Sequence, residues 1–252
     1  MNQLYARNPV SYSLVWLALY LVLNTITGNI AGALQIDANL VSALPNLLLA
    51  VLCYWSLKGA GITTDIGLTT RPAEKASVML YYLPLLVLPL LNLAYGVNTA
   101  LTAVQVLALL AMYAGVGFME EVIFRGLMFK ALEQKWNRYV VVAFISFTFA
   151  IGHIVSMAAV GQSSIDTVLQ VTNAFVVGFM FMLVILASGN LTICVVAHIL
   201  YNFLANISLV GRTRPEIIIA NTVITALYLV YLFARAKNVK AYFGTARATA
   251  RV

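Results

Sequence analysis

About eight stretches of this 252-residue chain stay apolar for roughly 20 residues at a time, the length a helix needs to cross the hydrocarbon core of a bilayer. In lipid the backbone must satisfy its own hydrogen bonds, so segments of this kind pack as helices and little else is open to them. The spacing predicts spans at about 12–34, 39–57, 77–96, 100–132, 139–157, 167–188, 190–209 and 217–234. The expected fold class is therefore all-α, a polytopic transmembrane helix bundle. Its composition, 62% hydrophobic and 9% charged, is far from the roughly 25% charged of a soluble domain. The longest polar stretch, Lys58 to Ala76, is too short to fold alone, so residues 1–252 read as one transmembrane domain. A core at about 100–210 and a basic tail at 235–252 complete the division. The fourth span is over-long, and its second half, with Phe124, Leu127, Met128 and Leu132 among Arg125, Lys130 and Glu133, turns amphipathic. That half is expected to leave the membrane gradually or to lie along its interface.

Charge gives an independent view of the topology, because lysine and arginine accumulate on the cytoplasmic side. With both termini inside, twelve of the fifteen basic residues are cytosolic, among them Arg7, Lys58, Arg71, Lys75, Lys130, Lys135 and Arg138. Arg235, Lys237, Lys240, Arg247 and Arg251 of the tail complete that set, only Arg212 and Arg214 lie outside, and Arg125 falls within a span. The net charge of +7 reads as a solvated face attracted to anionic lipid, and not as a nucleic-acid surface, since the cations are scattered along membrane edges. The start of the chain has no secretory-signal pattern, so the first apolar segment is expected to stay as a helix. Cys53 and Cys194 fall inside spans and read as packing residues. Gly28 and Gly32 form a small-xxx-small pair suited to helix packing, and Asn24, Asn29, Asn46, Asn92 and Asn173 read as interhelical hydrogen-bond partners.

Within this apolar frame a few residues are out of place. Carboxylates at membrane depth are costly, yet Glu120 and Glu121 are adjacent in the fourth span, and the chain's two histidines, His153 and His198, also lie in apolar segments. Glu120/Glu121 and His153 are equidistant from a turn near residue 137, each about 20 Å along its helix at 1.5 Å per residue; His198 and Asn202 reach similar depth from the start of the seventh span. Glu121 and Arg125 share a helical face, as do Phe149 and His153, and His198 and Asn202. Two carboxylates this close in low dielectric cannot both carry charge cheaply. Glu121 with Arg125 is therefore expected to supply electrostatic support, and Glu120, pointing about 100° away, to act as general base on water. Taken singly, the ion pair could be structural, the histidines interhelical bonds and Phe149 mere packing. Their joint convergence on three helices points to a site.

The strings Glu120-Glu121-Val-Ile-Phe-Arg125, Phe149-Ala-Ile-Gly-His153 and His198-Ile-Leu-Tyr-Asn202 resemble the ordered Glu-Glu-x-x-x-Arg, Phe-x-x-x-His and His-x-x-x-Asn motifs of the CPBP family. That family comprises type II CAAX prenyl endopeptidases and bacteriocin-processing or bacteriocin-immunity (Abi) proteins. The resemblance implies an intramembrane endopeptidase of the prokaryotic cell membrane, with a cavity open toward the cytosol and a membrane-associated peptide or protein as substrate: a CAAX protein, a pheromone or a bacteriocin precursor. It implies that Glu120 and His153 activate the attacking water, that His198 and Asn202 support the site and stabilise the oxyanion, and that Glu121 and Arg125 complete the motif. Glu120, His153 and His198 could also hold a catalytic Zn²⁺ with one open position, although the His-Glu-x-x-His helix of many zinc peptidases is absent and a Glu–His pair could act without metal. A non-catalytic immunity protein of the same fold would not need the six polar residues. A proton-coupled transporter would also bury such groups, but usually shows repeat symmetry, which this sequence lacks.

Overall fold

Local capping chemistry sets the helix boundaries. The Asn8 side chain accepts from the Ser11 N–H at 3.1 Å, with Pro9 in the first helical turn; Asp37 and Asn190 cap in the same way and Thr102 with Gln105 closes a reciprocal capping box, each satisfying N–H groups that the helix leaves open. The structure, a computed structural model, describes residues 2–73, 82–158, 164–210 and 214–244. Its helices are α1 (Asn2–Arg7), α2 (Pro9–Leu34), α3 (Ala38–Gly59), α4 (Leu83–Leu91), α5 (Ala103–Glu121), α6 (Phe129–Leu132), α7 (Arg138–Ala158), α8 (Ser164–Ser188), α9 (Leu191–Ile207), α10 (Pro215–Arg235) and α11 (Lys237–Gly244). A π-helical segment, Val122–Met128, joins α5 to α6. The described residues contain no strand beyond one isolated bridge between Val97 and Ser208, so the bundle is all-α. Five helices are long and apolar enough to cross a membrane: Pro9–Leu34, Ala38–Gly59, Ala103–Leu132, Thr167–Ser188 and Pro215–Arg235. Arg138–His153 and Leu191–Ile207 are shorter apolar helices. Leucine, isoleucine and valine side chains such as Leu21, Val22, Leu44, Leu52 and Leu227 stand exposed around the outside, as lipid-facing positions do.

The helices run alternately up and down and pack in a ring, α2 on α3, α3 on α5, α5 on α9, α9 on α4, α4 on α10, α10 on α8 and α8 on α7, with the π segment touching α2, α7, α8 and α9 from inside. Hydrogen bonds tie the two ends. At one end Tyr12 and Ser56 link α2 to α3, Leu191 N–H donates to Gly67 O, and Asn238 donates to Ala187 O. Gly67 has φ +83°, and a Cβ there would meet Gly189 O at 2.8 Å, so this loop closes on the α8–α9 turn only with glycine. At the other end Asn98 N–H donates to Ile207 O and Arg214 stacks over Tyr95. Among the described basic residues, Arg7, Lys58, Arg71, Lys130, Lys135, Arg138, Arg235, Lys237 and Lys240 are at the first end and Arg214 alone at the second. Lys75, Arg212, Arg247 and Arg251 lie outside the described residues.

Several expectations change. The third span, 77–96, contains the nine-residue α4, about 13 Å long at 1.5 Å per residue, and residues 74–81 lie outside the described residues. Pro89 interrupts its helical hydrogen bonding and Asn92 caps the carbonyls of Leu88 and Pro89, so Asn92 serves its own helix and not a neighbour. The second half of the fourth span does not lie along an interface: all seven residues of Val122–Met128 are buried, because this segment is the bundle's interior. Gly28 and Gly32 do not pack a helix, as nothing lies within 4 Å of a Cβ built at either. The close approach is instead at Gly115 of α5, where a Cβ would meet the Asn46 carbonyl carbon of α3 at 2.5 Å. Asn24 and Asn46 do bond across α2 and α3, Asn173 bonds Thr222 across α8 and α10, and Asn29 is exposed. Cys53 and Cys194 are buried free thiols. The start of the basic tail is helix α11, docked through Val239, Tyr242 and Phe243, with Arg138 donating to Tyr242 O and stacked on its ring; residues 245–252 lie outside the described residues.

Candidate active site

Helix α5 ends on Glu121, and the next turn widens into the π segment that carries Arg125 at its centre. Such bulges expend helical regularity to place a side chain and recur at functional sites. Glu121 and Arg125 are fully buried and meet at one point, Arg125 Nη1 donating to Glu121 Oε1 at 3.1 Å. The guanidinium stacks on the Phe149 ring with its carbon 3.9 Å from the centroid, with Phe181 at 5.8 Å beyond. Gly178 on α8 makes room for this stack, since a Cβ there would stand 3.0 Å from Arg125 Nη2 and 3.1 Å from Phe149 Cδ1. Phe149 thus does more than pack: its face holds a cation in a site with little other polar company.

His198 of α9 lies between the two glutamates. Its Nδ1 is 2.7 Å from Glu121 Oε1, and its Nε2 is 3.6 Å from Glu120 Oε2. A carboxylate can only accept, so Nδ1 carries the proton of the short bond. The other Glu120 oxygen accepts from the Tyr20 hydroxyl at 2.6 Å. Glu120, Glu121, Arg125 and His198 are therefore one connected cluster, and Tyr20 of α2 belongs to it. Tyr20 escapes a sequence reading because it is one of thirteen tyrosines, stands 100 residues from its partner, and precedes every motif. Its only local signal is Asn24 one turn on, sharing its face.

His153 and Asn202 are on the other side of His198. Both line a cavity with it, together with Phe149, Tyr201, Asn173 and Asn221 among others; its volume is about 70 Å³, room for a few water molecules. The Glu120 and Glu121 side chains are not part of that lining. His153 Nδ1 is 3.0 Å from Phe149 O, and because a carbonyl only accepts, Nδ1 is the protonated nitrogen and Nε2 the one that can take a proton. The structure therefore places the six motif residues in two groups joined at His198, with Glu120, Glu121 and Arg125 on one side and His153 and Asn202 on the other. The lining comes from the second half of α9, the start of α10 and the first half of α8, with Arg214 at the far edge. It occupies the half of the bundle away from the basic end, whereas the resemblance implied an opening toward the cytosol and the charge rule puts the cytosol at the basic end.

Among the described residues no three histidine, cysteine, aspartate or glutamate side chains are disposed to hold a metal ion. His198 gives Nδ1 to Glu121 and keeps Nε2 facing Glu120 Oε2 at 3.6 Å, and Glu120 gives its other oxygen to Tyr20.

The family model described as type II CAAX prenyl endopeptidase, Rce1-like, matches residues 102–204. Over this segment, about two fifths of the chain, it is similar to that family. The match begins at the Thr102 cap of α5 and ends two residues beyond Asn202, so it holds all three motifs, while Tyr20 and Asn221 lie outside it. No curated protein and no solved structure matches the chain. The family it resembles there is described as one of endopeptidases, and five of the helices are long and apolar enough to cross a membrane.

Proposed function

We propose that the protein is an intramembrane endopeptidase that hydrolyses a peptide bond of a membrane-associated peptide or protein, with water as nucleophile. The observation that carries this reading is His198, held by Glu121 on one side, facing Glu120 on the other, and presented to a cavity that His153 and Asn202 also line. Glu120 is the general base: it takes a proton from water as the oxygen adds to the scissile carbonyl carbon. The tetrahedral oxyanion is stabilised by the Asn202 carboxamide, and His198, its Nδ1–H given to Glu121, supports the site. Collapse breaks the C–N bond, and the proton from water passes to the leaving amine. His153, with Nε2 as its proton-accepting nitrogen, assists in drawing the proton from water. Arg125 and Glu121 orient His198 and do not touch substrate. No step is routed through a metal.

The likeness of residues 102–204 to the type II CAAX prenyl endopeptidase model supports a prenylated CAAX-type peptide as the first substrate to test, and a bacteriocin or pheromone precursor is the alternative. Purified protein in lipid vesicles is expected to cleave one of these, and Glu120→Gln and His153→Ala to lose at least ~99% of the rate while keeping the wild-type melting profile, as the loss of a proton-transfer group is worth roughly 10²–10⁴-fold. Either variant retaining more than a tenth of the rate removes that residue from the chemistry. Metal analysis of the active preparation, beside dialysis against chelator, tests the metal-free route: activity that vanishes with a stoichiometric metal overturns it.

A further inference from the structure

The cavity that His153, His198 and Asn202 line is polar in one half and apolar in the other, and the division runs the same way on every helix that walls both halves. On α8 the lining begins with Gln170 and Asn173 and continues, toward the basic end, with Val177 and Phe181. On α9 Asn202, Tyr201 and His198 give way to Ala197, and on α7 His153 gives way to Phe149. Asn92, just past α4, gives way to Leu88. Helix α10 reaches only the polar half, with Asn221 and, one residue before the helix, the exposed Arg214; Ile217 and Ile218 between them are the apolar exceptions there. All the polar lining thus belongs to the half away from the basic end, and the two imidazoles stand where that half stops. Hydrogen bonds from Asn221 to Tyr201 and from Tyr201 to Asn173 tie three of its walls together. Polar walls hold water, whereas small apolar cavities stay dry.

We propose that this cavity is a one-ended water inlet: water for hydrolysis enters beside Arg214, on the face opposite the basic end, passes Gln170, Asn173 and Asn221, and stops at His153 and His198. A site inside a bilayer has no bulk water next to it, so its nucleophile must be led in. The lining of α8 extends from Gln170 to Phe181, about 16 Å along the axis, and the apolar stretch beyond the imidazoles is the barrier that keeps an inlet from becoming a leak. Water is thereby delivered to the histidines without a polar path for ions through the bundle. The use made of that water rests on the peptidase reading above.

Silver ion is the probe, because a bare cation travels in water and not in lipid and binds the thiolate. Gln170→Cys, Asn173→Cys and Val177→Cys, along one stripe of α8, are placed in sealed vesicles of each orientation, and the thiol left after silver is counted with a fluorescent maleimide once the protein is unfolded. The wild-type chain, whose two cysteines are buried, is the blank. Silver added on the Arg214 face is expected to consume Gln170→Cys and Asn173→Cys, and Val177→Cys about a hundredfold more slowly, since a thiol in apolar surroundings holds little thiolate. From the basic face all three are expected to react at the slow rate. Gln170 is only half-buried, so its contrast with Val177 still decides the matter should Asn173→Cys not fold. Alongside, Asn173→Leu is expected to lower kcat about tenfold through lost water contacts with KM unchanged, and Asn173→Ser to recover most of the rate. Three equally slow thiols, a Val177→Cys as fast as Gln170→Cys, or faster reaction from the basic face overturns the inlet while the peptidase reading stands. If the silver pattern holds but the wild type cleaves no peptide, the peptidase reading falls and the inlet remains as a water path.

Discussion

Removing Arg125 would strand Glu121 in a site with no water-facing surface, and breaking a buried pair from one side costs roughly 3–5 kcal/mol. Arg125→Ala is expected to lose about that much stability. Glu121→Gln combined with Arg125→Met should lose less, since neither charge is left behind and the glutamine carbonyl can still accept from His198; melting of matched samples in one detergent measures this, and losses that simply add would show the two do not interact. Arg125→Lys keeps the charge but lacks the flat guanidinium that lies 3.9 Å over Phe149, so it should fall between. Tyr20→Phe is a different case. It keeps the ring that fills the space and deletes only the 2.6 Å bond to Glu120, so kcat is expected to fall about tenfold with KM and melting temperature unchanged; a wild-type kcat would remove Tyr20 from the machinery. The i, i+4 pairing of Glu121 with Arg125 could be read from the sequence because helical neighbours are a local matter. Tyr20 could not, because its partner is chosen by how α2 crosses α5.

Helix by helix, the lengths of α2 and α3 follow from apolar runs bounded by caps, and those of α8 and α10 from apolar runs alone; those signals are legible residue by residue. The π segment is not, because π and α turns differ by a one-residue shift in hydrogen bonding that carries no compositional mark. Helix crossings are equally hidden: a Gly-xxx-Gly spacing at Gly28 and Gly32 looks like a packing seam, but whether a partner is there depends on the rotation of α2. The tight crossing is at Gly115, with its would-be Cβ 2.5 Å from the α3 backbone. A rigid carbonyl cannot step aside, so Gly115→Ala should force the helices apart and cost about 1–3 kcal/mol, while Gly28→Ala should be neutral or gain up to about 1 kcal/mol from helix propensity. Thermal melting of the two variants side by side measures this, and equal losses would show that α3 and α5 do not meet there.

Across the whole molecule, charge segregation and the cavity point in opposite directions. If the basic end is cytosolic, reporter fusions after Lys58, Arg138 and Lys240 should all read inside, and a cysteine at Gln170, on the cavity wall, should react with a membrane-impermeant thiol reagent added from outside. Both native cysteines are buried and give little background. An external signal at Arg138 would sink the inside assignment of the basic end, and labelling of residue 170 from the cytosol alone would turn the cavity around. The cluster at His198 also draws on helices at both extremes of the chain order. Its Tyr20 comes from α2 and part of its cavity wall from α4 and α10, so residues 102–204 do not contain the whole site. An excised 102–204 fragment would carry every motif and still lack a donor to Glu120, whereas a nicked chain whose first hairpin is supplied as a separate polypeptide could reassemble the site. The smallest working unit of this protein is thus larger than the stretch by which it is recognised, and a surveyor of shortened relatives would do well to look for a second gene that encodes the missing helices.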